Sequence, residues 1–367
     1  MDKNKKAIKK LHKFINGDGL RDYTITRNFD FEDHDNVSQL SPLIRNRVIT
    51  EADVIKASLS KYPYSQIEKF IQEVFWRTYW KGWLEQRAEV WEWYKQDRDE
   101  LFENLPDAYA AAINGETDIA CFNYWVRELV ETGYLHNHAR MWFASIWIFT
   151  LKLPWQLGAD FFMANLLDGD AASNTLSWRW VAGLQTKGKT YLARASNIKK
   201  FTDGRFNTEG QLNEKAEPLE EDYNIPDPSF RRRPDYFGNN SRIGLLITED
   251  DVSAEDFIEG DFVAKAAINL SRLKSKHPVA DHVRAHVDEC MDGYMMIDDI
   301  DKWRVDHNLD HIVTAHTPIG HVADYLKDFD IRYIARDYDQ ACWPYVTKGF
   351  FKFREKIPKL IDELNVG

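Results

Sequence analysis

Tryptophan is spread so unevenly along this chain that it restricts the fold before any element is assigned. Of thirteen in 367 residues, eleven lie from Trp76 to Trp180, and only Trp303 and Trp343 fall outside. A large helical core accounts for any one of them, because aromatic side chains dominate core burial. Their crowding into one stretch asks for a further reason. The same region carries apolar residues at three- and four-residue spacing, as in Ile67-Phe70-Ile71-Val74-Phe75 and Phe143-Ile146-Trp147-Thr150-Leu151, which predicts helices. Thr117-Asp118 ahead of IACFNYWVREL predicts an N-cap, Gly133 a stop, and Pro154 the end of a helix near Leu153.

The texture changes after residue 215. AEPLEEDYNIPDPSFRRRPDYFGNN, residues 216–240, gathers four prolines among charge blocks without periodicity and reads as a linker. Beyond it IGLLIT, HIVTAH and IRYIA read as buried strands, with DFVAKAAINLSRLKS and GHVADYLKDF expected to be helical. The expected architecture is therefore mainly α: a helical domain over 1–215, a linker over 216–240, and a small α/β domain with a short parallel sheet over 241–367.

Hydrophobic residues at 44% suffice for a buried core. No run of eighteen apolar residues occurs, and the lysine-rich start lacks an apolar segment behind it, so neither a membrane span nor a signal peptide is expected and the location read is cytoplasmic. Lys3 to Lys13 reads as the solvated face of an opening helix whose other face is Ala7, Leu11 and Phe14. Cys121, Cys290 and Cys342 are too few and too scattered for a disulfide framework or an iron–sulfur cluster. The net charge of −11 lies wholly after residue 215, where 19 Lys/Arg meet 30 Asp/Glu, whereas residues 1–215 hold 29 of each. The first part is therefore free to carry a basic face.

Common catalytic signatures are missing. GxSxG, GxGxxG and GxxxxGK[ST] do not occur, and His282 and His286, though one helical turn apart, lack the Glu of an HExxH site, so no metal is expected. What stands out is LLDGDAASNTLSWRW, residues 166–180: an acidic turn, a lone Asn174, then Trp178 and Trp180 flanking a cation. Taken alone, Asn174 caps a local turn. Taken with its neighbours, the segment suits something flat and partly charged.

Five segments together resemble a known family. YTITRN from Tyr23, SQLSPL from Ser38, EVFWRTYW from Glu73, GYLHNHARM from Gly133 and LLDGDAASNTLSWRW are similar, in order and spacing, to the flavin-binding domain of DNA photolyases and cryptochromes over roughly residues 5–210. The resemblance implies a helical domain holding FAD in a U shape. Tyr23, Ser38, Gln39, Leu40 and Ser41 then correspond to its phosphate-holding positions, with Arg77 a further contact. Arg140 and Asp168 match an acid–arginine pair beside the ring, Gly169 and Asp170 complete the turn, and Asn174 faces flavin N5. Trp178 and Trp155 match the inner and middle members of an electron-transfer chain. Its third member stays open between the position of Phe102, a substitute in Trp91 or Trp93, and an incomplete chain.

Glu73, Trp76, Asn137, Met141 and Trp180 match the residues that receive a flipped-out cyclobutane pyrimidine dimer, where indoles sandwich the lesion and a carboxyl and an amide meet the base edges. Family members acting on the (6-4) product carry a histidine pair near the positions of Asn137 and Met141, which this chain lacks. The chain also departs from the family. His138 stands in place of an arginine, Asp118 of a glycine, Asn123 of an Asp, and Ile198 of part of an Asn-Pro pair, all of which point to weaker DNA binding. The family's α/β antenna domain precedes the flavin domain; here an α/β segment follows it, and a shortened antenna-like domain in swapped order, without a second chromophore, is expected. The implied function is light-driven repair of cyclobutane dimers in ultraviolet-damaged DNA, single-stranded DNA included. The alternative is a cryptochrome-like photoreceptor without repair activity, and a flavin-free relic is the third reading.

Overall fold

The computed structural model describes residues 3–230 and 241–366. The protein is mainly α, with one small parallel sheet. Residues 231–240 of the expected linker lie outside the described residues. Residues 216–230 lack helix and strand and run back across the helical part: Leu219 N–H donates to Ala182 O (3.0 Å), Arg179 pairs with Glu221, and Tyr223 stacks on Trp93 at 4.6 Å.

The helical part is built around the Tyr64–Glu85 helix, whose Phe70, Ile71, Val74, Phe75 and Tyr79 are all buried. The Glu51–Leu59 and Ala171–Ala182 helices pack against it, the Asn137–Ser145 and Trp155–Asn165 helices pack on Ala171–Ala182, and Glu89–Glu103 packs on Trp155–Asn165. Local chemistry sets their ends. Thr50 and Asp53 form a reciprocal capping box, and Gly133 and Gly183 end their helices at φ +70° and +85°, where a side chain would be strained. Two expectations are corrected. The Ala120–Thr132 helix is preceded by Ile119, not capped by Thr117: the Thr117 hydroxyl accepts from Ile119 N–H (3.2 Å), while Asn123 folds back to accept from Thr117 N–H (3.0 Å). The helix before Pro154 runs on from Ser145 as a π turn that stops at Thr150, and Pro154 instead precedes the Trp155–Asn165 helix.

The sheet has the order β3-β2-β1-β4-β5, with β1 Ile243–Thr248, β2 Phe262–Ile268, β3 Met295–Met296, β4 His311–Ala315 and β5 Ile331–Ile334. The segment DFVAKAAINLSRLKS, expected to be helical, is a third correction, this one of element type. Its Phe262–Ile268 portion is β2, paired with β1 from Ile243 to Thr248. Alanine and lysine favour helix locally, but here they alternate between exposed and covered and then dive into the sheet, so tertiary pairing outweighs propensity.

Apolar packing runs unbroken between the two parts. Trp343 lies against Gly82, where a Cβ would stand 2.6 Å from its ring, and Phe350 stacks on Trp76 at 3.6 Å. A layer of buried ion pairs joins them as well: Arg47 to Asp251 (3.2 Å) and Asp339 (2.6 Å), and Arg45 to Asp250 (2.8 Å), with the His321–Glu249 contact (2.7 Å) inside the α/β part beside them. These groups cluster where β1 ends, beside the change of direction between β1 and β4 at which open α/β sheets usually hold ligands. Here the helical part fills that crevice. No helix among the described residues is long and apolar enough to cross a membrane.

Candidate functional site

The tryptophans divide into two sets. Trp91, Trp125, Trp142 and Trp147 are fully buried in the core, whereas half-buried Trp76, Trp80 and Trp180 and the fully buried Trp178 line a cavity of about 520 Å³. That volume lies within the usual range for cofactor pockets. Its walls come from the Tyr64–Glu85, Asn137–Ser145 and Ala171–Ala182 helices, the loop at 37–41 and the turn at 166–170.

Every site residue singled out from the sequence except Trp155 lies on this cavity. Tyr23, Ser38, Gln39, Leu40 and Ser41 form one wall, and Gln39 adopts φ +50°, a conformation held open by its amide donating to Asp33 O and His34 O (both 3.2 Å). Arg77, Arg140, Asp168, Gly169, Asp170, Asn174 and Trp178 line the interior. Glu73, Trp76, Asn137, Met141 and Trp180 also line it, and they are half-buried or, for Asn137, exposed.

The interior is strongly ionic. Arg140 Nη2 donates to Asp168 Oδ2 (3.0 Å) and its Nε to Leu135 O (2.9 Å). Burial pushes the Asp168 carboxyl up, but Arg140, Arg77 and the Ser41 hydroxyl outweigh it and hold the group below the ordinary carboxylate range. Burial likewise raises Asp170, and Lys81, Arg77 and Arg45 reverse that to leave it far below the ordinary value. Asp170 is also the N-cap of the Ala171–Ala182 helix, accepting from Ser173 N–H at 2.7 Å. Asn174 is therefore not a turn cap. It sits inside that helix and donates across to Ala159 O (2.8 Å), which fixes its side chain against the cavity.

Trp155 stands apart from the cavity. It stacks on Tyr94 at 5.6 Å, and Tyr94 meets Trp91 at 5.2 Å. One turn further along its helix, Gly158 lies against Trp178, so the two indoles flank the same helix contact. Of the residues left open as an outer member, Trp91 continues the row through Tyr94 and is buried. Trp93 is half-buried on Tyr223, and Phe102 meets Tyr109, which leads to Trp178 by way of Trp147.

Several cavity contacts go beyond the sequence reading. Arg27 pairs with Glu73; it stands four residues after Tyr23 within YTITRN, a one-turn spacing that could have revealed it. His138 bridges Asn28 O (2.9 Å) and Tyr191 Oη (3.0 Å), and burial lowers its pKa. Tyr191 in turn stacks on Trp180 at 5.7 Å. Arg45, which donates to Gly169 O (3.0 Å), and Phe350 behind Trp76 carry no sequence signal that links them to the cavity.

Residues 70–213 match a family model described as the FAD binding domain of DNA photolyase. The deoxyribodipyrimidine photo-lyase of Streptomyces griseus is 29% identical over 200 residues, covering 49% of this chain and 44% of that protein. That of Agrobacterium fabrum is 34% identical over 182 residues, covering 48% and 37%. A solved bacterial class III photolyase from Agrobacterium tumefaciens aligns at a TM-score of 0.47 and 28% identity, over 55% of this chain and 42% of its own. The chain thus spans less than half the length of the curated relatives it matches.

The cavity fits such a cofactor. Five polar atoms of its lining residues are buried without a protein partner: Arg77 Nη1, His136 Nε2, Asp168 Oδ1, Ser173 Oγ and Trp178 Nε1. Buried polar groups are almost always hydrogen-bonded, so donors and acceptors gathered around one cavity call for a polar ligand. Beside them lie the broad apolar surfaces of Phe162, Val181 and Trp178, which suit a flat ring system.

Proposed function

Starting from a flavin-binding domain of the DNA photolyase family at residues 70–213, we propose that this protein repairs cyclobutane pyrimidine dimers in DNA under light. One observation carries the reading: the residues suited to hold a flavin and those suited to receive a dimer line a single cavity. Bound FAD would supply the light-driven electron that opens the cyclobutane ring. Ser38, Ser41, Arg77 and Tyr23 hold its phosphates, and the Arg140–Asp168 pair fixes the ring side of the cavity. Asn174 presents an amide that can donate or accept, so it carries no charge to oppose an electron-rich ring.

At the mouth Trp76 and Trp180 offer indole faces to a lesion flipped out of its stack, Met141 fills the space between, and Glu73 and Asn137 meet its polar edges. Glu73 must leave Arg27 or bring it along when a base edge arrives. Trp178 and Trp155 stand where oxidisable side chains are needed to return electrons. In this reading residues 1–215 are the flavin domain, 216–240 the linker and 241–367 an antenna-like domain whose ligand crevice the helical part fills. The partner is ultraviolet-damaged DNA in the cytoplasm, single-stranded DNA included.

A photoreceptor of the same fold needs no lesion-facing set, which favours repair over that reading. Illumination of the purified protein, with its flavin fully reduced, on dimer-containing single-stranded DNA should restore thymine absorbance. No recovery in the light overturns the assignment.

A further inference from the structure

We infer that the C-terminal α/β part completes the flavin site, through Lys274, a positioning residue that braces the Asp168-Gly169-Asp170 turn from behind. The inference rests on the flavin reading above and deepens it. Lys274 follows the Ser271–Leu273 turn after β2 and is 2% exposed. Its Nζ comes so close to the turn that a Cβ on Gly169 would stand 3.2 Å from it. Glycine at 169 leaves room for the ammonium beside the turn, where the Asp168 and Asp170 carboxylates act on its charge.

The helical part holds this lysine in place. Asp160, fully buried on the Trp155–Asn165 helix, accepts from Ser275 Oγ (2.6 Å), Lys276 N–H (3.1 Å) and His277 N–H (2.9 Å). Ala280 N–H donates to Ala164 O (3.0 Å), and the His282 ring bonds Asn165 O at 3.0 Å. The strand-to-helix connection from 274 to 282 is thus stitched along the very helix that leads into the 166–170 turn. On the other side Arg45 donates to Gly169 O (3.0 Å) while pairing with Asp250 (2.8 Å) of the α/β part.

The charged groups facing Lys274 are Arg45 from the Ser41–Arg45 helix, Glu249 after β1, Asp168 and Asp170 on the turn, and His286 from the Asp281–Cys290 helix. Burial is the main cause that lowers its pKa, with Arg45 adding to it, and Glu249, Asp168 and Asp170 limit the fall to about 8. The ammonium therefore persists at neutral pH and is lost above it. Without it, the buried carboxylates of the turn lose a compensating charge and the wall that carries Asp168 loosens.

The test uses full-length protein, free FAD in equilibrium dialysis, and acid unfolding of the flavin-free protein. Lys274→Met should weaken FAD binding by about tenfold or more, as expected when a buried cation that offsets nearby buried carboxylates is lost, and Lys274→Arg should restore it to within about threefold. Wild-type affinity should fall from pH 7 to pH 9, and Lys274→Arg should flatten that profile; the wild-type profile needs no variant to fold. In flavin-free protein Lys274→Met should move the acid-unfolding midpoint upward, because the turn carboxylates protonate more easily. Unchanged affinity in Lys274→Met, or a flat wild-type pH profile, overturns the inference. Wild-type protein that binds no FAD, with the acid midpoint still shifted by Lys274→Met, sinks the flavin reading while the brace on the turn stands.

Discussion

Gly158→Ala tests the packing that places Trp178 against the cavity. Gly158 lies inside the Trp155–Asn165 helix, where alanine ordinarily gains about 1 kcal/mol over glycine. Here the added Cβ would sit 2.3 Å from Trp178 Cη2, 2.6 Å from Cζ3 and 3.0 Å from Trp147 Cε2. A carbon–carbon contact needs roughly 3.5–4.0 Å, so the ring must move by more than an ångström. It cannot move freely, because Phe162 at 5.1 Å and Trp147 at 6.2 Å close the other sides and Trp178 is 2% exposed. Overpacking of this kind costs about 1–3 kcal/mol, and a rigid indole hemmed in by rings belongs at the upper end. The net effect is a loss of about 2 kcal/mol, or a fall in Tm of roughly 2–3 °C for a chain of this length. Thermal unfolding followed by circular dichroism reads the stability, and quenching of bound flavin fluorescence reads the ring's new place. An unchanged or raised Tm would show that Trp178 does not pack on Gly158, and the arrangement of both indoles would have to be redrawn.

Asn174→Asp places a carboxylate where charge would build on a reduced flavin, so the midpoint potential of the bound flavin should become more negative; an unaltered potential in a spectroelectrochemical titration removes Asn174 from the ring's edge. Glu73→Gln should weaken binding of dimer-containing DNA by about tenfold while leaving the flavin absorption spectrum as it is; equal affinity in a gel-shift titration refutes a lesion contact. His136 is buried, accepts from His138 N–H at 3.2 Å, and has its pKa driven down to about 3, by burial first and then by His34 and His138. A base with a lowered folded pKa contributes stability that is complete above the unfolded value near 6.5 and is lost as pH falls toward 3, at up to about 1.4 kcal/mol per pH unit. Denaturant unfolding between pH 7 and pH 4 should show that slope, and His136→Asn should flatten it; an equally steep profile in the variant assigns the acid sensitivity elsewhere.

What the sequence discloses and what it hides follow from the range of the contacts. The cavity wall is legible because each of its pieces is short and self-contained: the Asp168-Gly169-Asp170 turn, the Asn174-Trp178 spacing on one helix, and the serines around Gln39 each carry their chemistry within a few residues. The crowding of tryptophan is legible too, although not its division into core rings such as Trp125 and Trp142 and cavity rings such as Trp76 and Trp180. β2 is hidden because Ala264-Lys265-Ala266-Ala267 favours helix until β1 supplies a ladder for it. Lys274, Phe350 and the Arg45–Asp250 pair are hidden for a stronger reason, since each acts across more than a hundred residues of chain and none lies in a recognisable motif.

Those long-range contacts explain how an α/β part placed after the helical part can still serve it. The apolar face through which the two parts meet is pinned by ion pairs and cannot slide. Arg47 reaches Asp251 and Asp339 at once, and Arg336 fastens Asp251 from the other side at 2.6 Å, so the end of β1 has one allowed position against the loop at 45–47. Ion pairs so deeply buried add little net stability over well-packed apolar groups, but a misplaced one leaves an uncompensated charge costing about 3–5 kcal/mol. Their contribution is alignment. Arg45 carries that alignment directly to the carbonyl of Gly169, which makes the geometry of the acidic turn depend on how the sheet is seated. Chain order then matters little, because the turn is positioned by charges that meet in space and not by the segment that precedes it in sequence.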